Sequence, residues 1–143
     1  MTLEELEKRI KVLEDTEEIK KLHRQYMWWL TNNQWDDIIN CFTDDATAQA
    51  WKTGEHKGRE GIIKICKQLG EKKTTKDAHF VGQAIIDMDG DKANGRWNVC
   101  LLFTNPIQWV QGVNECEYRK ENGKWKFSRL KFTRLLASDP SLL

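Results

Sequence analysis

The chain has 143 residues and a net charge of +1, enough for one domain with one core and too balanced for the broad basic field that would hold nucleic acid. Charged residues make up 31% and apolar residues 39%, and no apolar run approaches the roughly 20 residues a membrane helix needs, so neither a nucleic-acid nor a membrane partner is expected. The N-terminus, Met1-Thr2-Leu3-Glu4-Glu5, is acidic and amphipathic, unlike a signal peptide, and the scattered Cys41, Cys66, Cys100 and Cys116 fit neither a zinc motif nor a disulfide framework, so a reducing cytoplasm is expected.

Leu3, Leu6, Ile10 and Leu13 form a narrow stripe on a charged helix. A stripe this narrow suits another helix or a second subunit, so residues 1–14 are read as an oligomerisation helix and the chain as a homo-oligomer, most simply a dimer. Asp15-Thr16-Glu17-Glu18 looks like a cap, and a second helix follows with Ile19, Leu22, Tyr26 and Trp29 or Leu30 on one face. Asn32-Asn33 ends it. Asn33 is expected to cap a short helix, with Asp36 at its third position, that presents Trp35, Ile38, Ile39 and Phe42. A strand from Ala46 to Trp51, a turn from Gly54 to Gly58 and a helix from Gly61 to Leu69 come next. Glu71 to Asp77 is read as a solvated loop.

The rest is β. Strands are predicted at Ala78–Asp87, Ala93–Thr104, Trp109–Arg119 and Lys124–Leu136, with tight turns at Asp89-Gly90-Asp91 and Glu121-Asn122-Gly123. In the last strand Trp125 and Phe127 share one parity, while Leu130, Phe132, Arg134 and Leu136 share the other. Either a bulge near Ser128-Arg129 switches the parity, or both faces are covered, as in a dimer of stacked sheets. Helices followed by a long antiparallel meander make a single α+β domain over residues 1–143.

Seven tryptophans are the compositional outlier. Large rings usually fill cores, but some are expected to line a roomy apolar pocket. Three residues stand out as chemistry. His79 opens a strand, and histidine is the commonest general base near neutral pH. Tyr26 sits on the core-facing stripe of its helix, yet its hydroxyl needs a partner. Arg134 interrupts an apolar strand face, and arginine is rarely buried unpaired. Each also has a plain structural reading: a strand histidine, a boundary tyrosine, an arginine reaching solvent. His23 on a charged helix face and His56 in a turn are read as solvated. Asp44-Asp45 and Asp87, Asp89 and Asp91 sit at expected turns, so no metal site is expected. No phosphate loop, His-x-x-x-His or Gly-x-Ser-x-Gly occurs, and no cofactor is expected.

The run from Tyr26 through Trp28-Trp29, Asn32-Asn33, Trp35-Asp36 and Phe42-Thr43-Asp44-Asp45-Ala46 resembles the opening of SnoaL-like proteins, within the nuclear-transport-factor-2-like superfamily. The resemblance extends over nearly the whole chain, through motifs that are each short. It implies a curved antiparallel sheet wrapped around N-terminal helices, a cystatin-like cone with a pocket at its mouth. In the hexachlorocyclohexane dehydrochlorinase branch a histidine placed like His79 removes a C–H proton, and the scytalone dehydratase branch also uses pocket histidines. In the bile-acid and scytalone dehydratase branches a tyrosine placed like Tyr26 hydrogen-bonds the substrate or helps a water leave, and in the bile-acid dehydratase branch an arginine placed like Arg134 lies in the pocket. The departure is at Thr31, where those relatives carry an aspartate that supports the charged imidazole.

The resemblance implies a small cofactor-independent lyase or isomerase acting on a bulky apolar or polycyclic substrate. His79, Tyr26 and Arg134 would be catalytic, and Trp29, Trp97, Thr31, Asn98 and Phe132 would contact the substrate. The alternative is a non-catalytic small-molecule-binding or assembly protein on the same scaffold.

Overall fold

The computed structural model describes residues 1–71 and 77–143. The loop read between Glu71 and Asp77 therefore lies largely outside the described residues. Glu71 closes a helix and Asp77 opens a strand.

Helix α1 runs unbroken from Leu3 to Thr31, opened by a capping box in which Thr2 and Glu5 satisfy each other's backbone N–H. The break expected at Asp15 does not occur. No Gly or Pro interrupts this stretch, so the backbone continues as helix. Asp15 is instead buried, with Oδ1 accepting Trp125 Nε1–H and Lys120 Nζ, each at 3.0 Å. The Leu3, Leu6, Ile10 and Leu13 stripe lies exposed, uncovered among the described residues.

Asn33 does not cap the next helix. It adopts a left-handed φ of 56°, which asparagine tolerates, and turns the chain into α2, Trp35–Ile39. Strand β1, Phe42–Ala50, begins four residues before the expected start. Asp44 and Asp45 thus lie on a strand, where they pair with Arg59 at 3.1 Å and Arg119 at 2.6 Å. β2 is the short Glu55–Lys57 and α3 spans Arg59–Glu71. The meander follows as β3 Asp77–Asp89, β4 Lys92–Phe103, β5 Gln108–Glu121 and β6 Lys124–Ala137, close to the sequence reading. A 3-10 turn at Pro140–Leu142 ends the fold.

The six strands form one open sheet in the order β2-β1-β6-β5-β4-β3. The architecture is α+β, as expected, but the sheet is mixed, because β1 pairs with β6 in parallel. The crossover through α3 and the four-strand meander bring β6 back beside β1 in the same direction.

The parity problem in β6 is resolved by two irregularities. Glu117 pairs with Arg129 and Tyr118 with Phe127, so Ser128 is the extra residue and both Phe127 and Leu130 point inward. A second shift at Leu135 leaves Arg134 facing inward and exposes Leu136. β3 carries a similar bulge at Gln83, whose φ is 52°, so His79 lies inward on one side of it and Ile86 and Met88 on the other.

The core lies between the inner sheet face and α1, α2 and α3. Against the C-terminal half of α1 it is solid: the rings of Tyr26, Phe42 and Phe127 lie 5.2–5.8 Å from one another, and Tyr118 lies 5.2 Å from Phe127. Gly95 and Gly112 permit this packing, because a Cβ at either would strike the Tyr118 ring or the Phe132 ring and adjacent backbone. Toward the other end of the sheet the packing opens into a cavity.

Candidate functional site

Alternation along the strands decides which side chains reach the cavity. β3 sends in Asp77 and His79, β4 Val99, Leu101 and Phe103, β5 Asn114, and β6 Leu130, Phe132 and Arg134. Tyr26, Met27 and Leu30 close it from α1; Ile62, Ile65, Cys66 and Leu69 do so from α3. The volume is ≈ 230 Å³, and the lining is mainly apolar with a few polar groups among it. Tyr26, His79, Arg134 and Phe132 therefore all line one cavity.

Thr31 is not in the wall but stands behind His79, with Oγ1 2.7 Å from the imidazole Nδ1. The same hydroxyl lies 3.0 Å from the Met27 carbonyl and donates to it. A hydroxyl has one proton, so Oγ1 is then the acceptor for Nδ1–H. This places the imidazole lone pair on Nε2, the tautomer that can take a proton there. Thr31 thus orients the ring without adding a negative charge.

Tyr26 is only 6% exposed. Burial, with smaller contributions from nearby cysteines, raises its pKa well above the ordinary 10.0, so the hydroxyl keeps its proton. It is a donor at neutral pH and never a phenolate.

Arg134 reaches the cavity beside the C-terminal turn. Its guanidinium stacks 3.7 Å above the Trp51 ring, and Nη1 donates to the Leu142 carbonyl at 2.6 Å. Nε is buried without a hydrogen-bond partner, and no ion pair to Arg134 forms among the described residues. Burial lowers its pKa from 12.5, as expected for a charge partly withdrawn from water. A guanidinium lining the cavity without an ion-pair partner among the described residues is suited to a carbonyl or carboxylate oxygen.

Several expectations need correction. Trp97 is buried but stacks on His23 with centroids 4.3 Å apart, and its N–H donates to Tyr118, so it is core and not wall. Trp29 packs against the core outside the cavity. Asn98 faces the other side of β4, one residue out of phase with Trp97 and Val99, and bonds Gln83 and Gln111. The tryptophans in the wall are Trp35 and Trp51. Trp35 fits because Gly70 has no side chain; a Cβ there would lie 2.6 Å from its ring. Trp51 sits at φ 46°, an uncommon conformation for so bulky a residue, right beside Arg134.

His23 is the largest correction. It is fully buried, not solvated, and burial lowers its pKa from 6.5 to about 3. His56 lies in β2, half-buried, with Nε2 3.1 Å from the Thr53 carbonyl. Asp77 and Asn114 were missed. Asn114 was legible in principle: it shares inward parity with Val110, Gly112, Cys116 and Tyr118, a polar residue in an apolar series.

Residues 11–131 match the family described as SnoaL-like domain. Solved structures with the same fold include a nuclear-transport-factor-2-like protein with a cystatin-like fold from Novosphingobium aromaticivorans, 21% identical, covering 98% of this chain and 94% of that one, TM-score 0.85. The type 3 hexachlorocyclohexane dehydrochlorinase of Novosphingobium barchaimii is 21% identical, covering 91% and 92%, TM-score 0.82. A scytalone-dehydratase-like protein of N. aromaticivorans is 21% identical, covering 89% and 88%, TM-score 0.79. No curated protein sequence matches the chain significantly.

Proposed function

Because the chain belongs to the SnoaL-like family, whose fold is shared by dehydratase-like and dehydrochlorinase proteins, we propose that it is a small lyase or isomerase working by side-chain acid–base chemistry. The observation that carries this reading is the meeting of His79, Tyr26 and Arg134 at one cavity. His79 takes a proton from a carbon next to a carbonyl, through Nε2. The C–H electrons form the new double bond, the C–O bond breaks, and the departing oxygen leaves as water after gaining a proton from the imidazolium. Tyr26 hydrogen-bonds that oxygen or the enolate, and Arg134 holds the carbonyl or a carboxylate. The apolar wall suits a bulky, ring-based substrate.

The test is a panel of β-hydroxy ketones on naphthalene or decalin frames, incubated in D2O. Water loss and deuterium uptake beside the carbonyl are followed by mass spectrometry. Both should vanish in His79→Ala and slow in Tyr26→Phe with little change in KM. Full turnover by His79→Ala would sink the mechanism. One observation favours a binding protein on the same cavity: Thr31 gives the imidazolium no counter-charge. That reading expects ligand uptake by the wild type without turnover of any panel member.

A further inference from the structure

Behind the cavity lies a buried polar chain that the elimination does not use. Trp97 Nε1–H donates to the Tyr118 hydroxyl at 2.9 Å. His23 Nδ1 is 2.8 Å from that hydroxyl, and His23 Nε2 is 3.0 Å from Asn114 Nδ2. Asn114 Nδ2 has a second contact, to Met27 Sδ at 3.9 Å.

One set of proton positions satisfies every contact. An amide nitrogen only donates, so His23 Nε2 must accept from Asn114. A neutral imidazole that accepts at Nε2 carries its proton on Nδ1, and donates it to Tyr118. The Tyr118 oxygen thus accepts from both His23 and Trp97. Both Asn114 N–H groups are committed, one to His23 and one to Met27. Asn114 is 3% exposed and lines the cavity, so its remaining atom, Oδ1, is what it offers there.

We propose that His23 is a positioning residue that fixes the polarity of the Asn114 amide, so that the inner cavity wall presents an acceptor and selects ligands carrying a hydroxyl or N–H donor at that place. This rests on the cavity being a ligand site, as proposed above, and deepens it. The ligand would offer an acceptor to Arg134 at the mouth and a donor to Asn114 deep inside. A reversed amide would select the opposite, because a buried polar group left unpaired is costly.

Two measurements test it. Nitrogen-15 NMR of the His23 ring at neutral pH should show a protonated Nδ1 and an unprotonated Nε2; a protonated Nε2 overturns the proposal. Tryptophan-fluorescence titration with 2-naphthol and 2-methoxynaphthalene, alike but for the donor, should show about tenfold tighter binding of 2-naphthol. The ratio should fall to near one in Asn114→Leu and in His23→Leu. It should persist in His23→Gln, whose side-chain carbonyl can still accept from Asn114. Equal binding by the wild type, preference for the ether, or a ratio that survives Asn114→Leu would each refute the idea. If His23→Leu does not fold, the ring NMR and the Asn114→Leu ratio still decide. Turnover by His79→Ala would sink the elimination chemistry and leave both of these measurements untouched.

Discussion

Burial of a neutral His23 makes the protein's stability depend on pH in a way that can be worked out. Unfolded, the imidazole titrates near 6.5; folded, burial holds it down to about 3. Between those values the unfolded chain binds a proton that the folded chain refuses. Stability therefore falls as pH drops below 6.5 and is fully present only above it. From pH 7 to pH 5 the unfolded state gains about 2 kcal/mol from this one group, since each pH unit below the unfolded pKa is worth about 1.4 kcal/mol. With a urea m-value of about 2 kcal/mol/M, the midpoint should drop by about 1 M. The assay is urea unfolding at pH 7, 6 and 5, followed by tryptophan fluorescence, on the wild type and His23→Gln. The variant lacks the titrating group, so its midpoint should move far less. His56 and His79 remain in both proteins and cancel in the comparison. If wild type and His23→Gln lose stability in parallel, His23 is not held neutral in the core, and the hydrogen-bond directions derived for Asn114 fall with it.

Asp15 should behave as a tertiary anchor and not as a helix cap. Asp15→Ala strands the buried Trp125 N–H and Lys120, and should cost about 2–3 kcal/mol in urea unfolding. Asp15→Ser, an adequate cap, should not restore it; full rescue by serine would favour the capping role. Although burial opposes ionisation, hydrogen bonds from Trp125 and Lys120 hold the Asp15 carboxyl below its ordinary 3.8, so its contribution persists above that pH and is lost on further acidification. Thr31→Asp should raise turnover on any substrate found for the wild type, by adding a negative charge beside the His79 ring, whereas Thr31→Val should lower it roughly fivefold by removing the hydroxyl that accepts from Nδ1. A Thr31→Val enzyme with unchanged kcat would show that the 2.7 Å contact has no catalytic part. The exposed Leu3, Leu6, Ile10 and Leu13 stripe supports our proposal of a homodimer, and light scattering at micromolar concentration should give twice the chain mass. Lys substitutions at Leu6 and Ile10 should yield a monomer; a wild type already monomeric would retire the idea.

The local patterns were legible without coordinates. Period-two alternation and Asn-Gly or Asp-Gly turns placed the four meander strands to within a few residues, because those signals are written in adjacent side chains. The irregular parity of the last strand called for either a bulge near Ser128-Arg129 or two covered faces, and the fold has the bulge at Ser128. Tyr26 and Arg134 could be picked out as polar residues on apolar faces, and His79 as a histidine opening a strand. Their meeting at one cavity was only an expectation, since it depends on how three distant segments curve around each other. Other features belonged to the tertiary structure outright. His23 looked solvated because its helix neighbours are charged, yet helix rotation turns it onto Trp97 and Tyr118. Asp15 looked like a cap because its partners lie more than a hundred residues away. Trp51 and Trp35 replaced Trp29 and Trp97 in the wall because ring placement depends on a left-handed backbone at one and a missing Cβ at Gly70 for the other. Sequence reports what a residue's neighbours along the chain permit. Burial and hydrogen-bond polarity are set by neighbours across space, and those only the closed fold supplies.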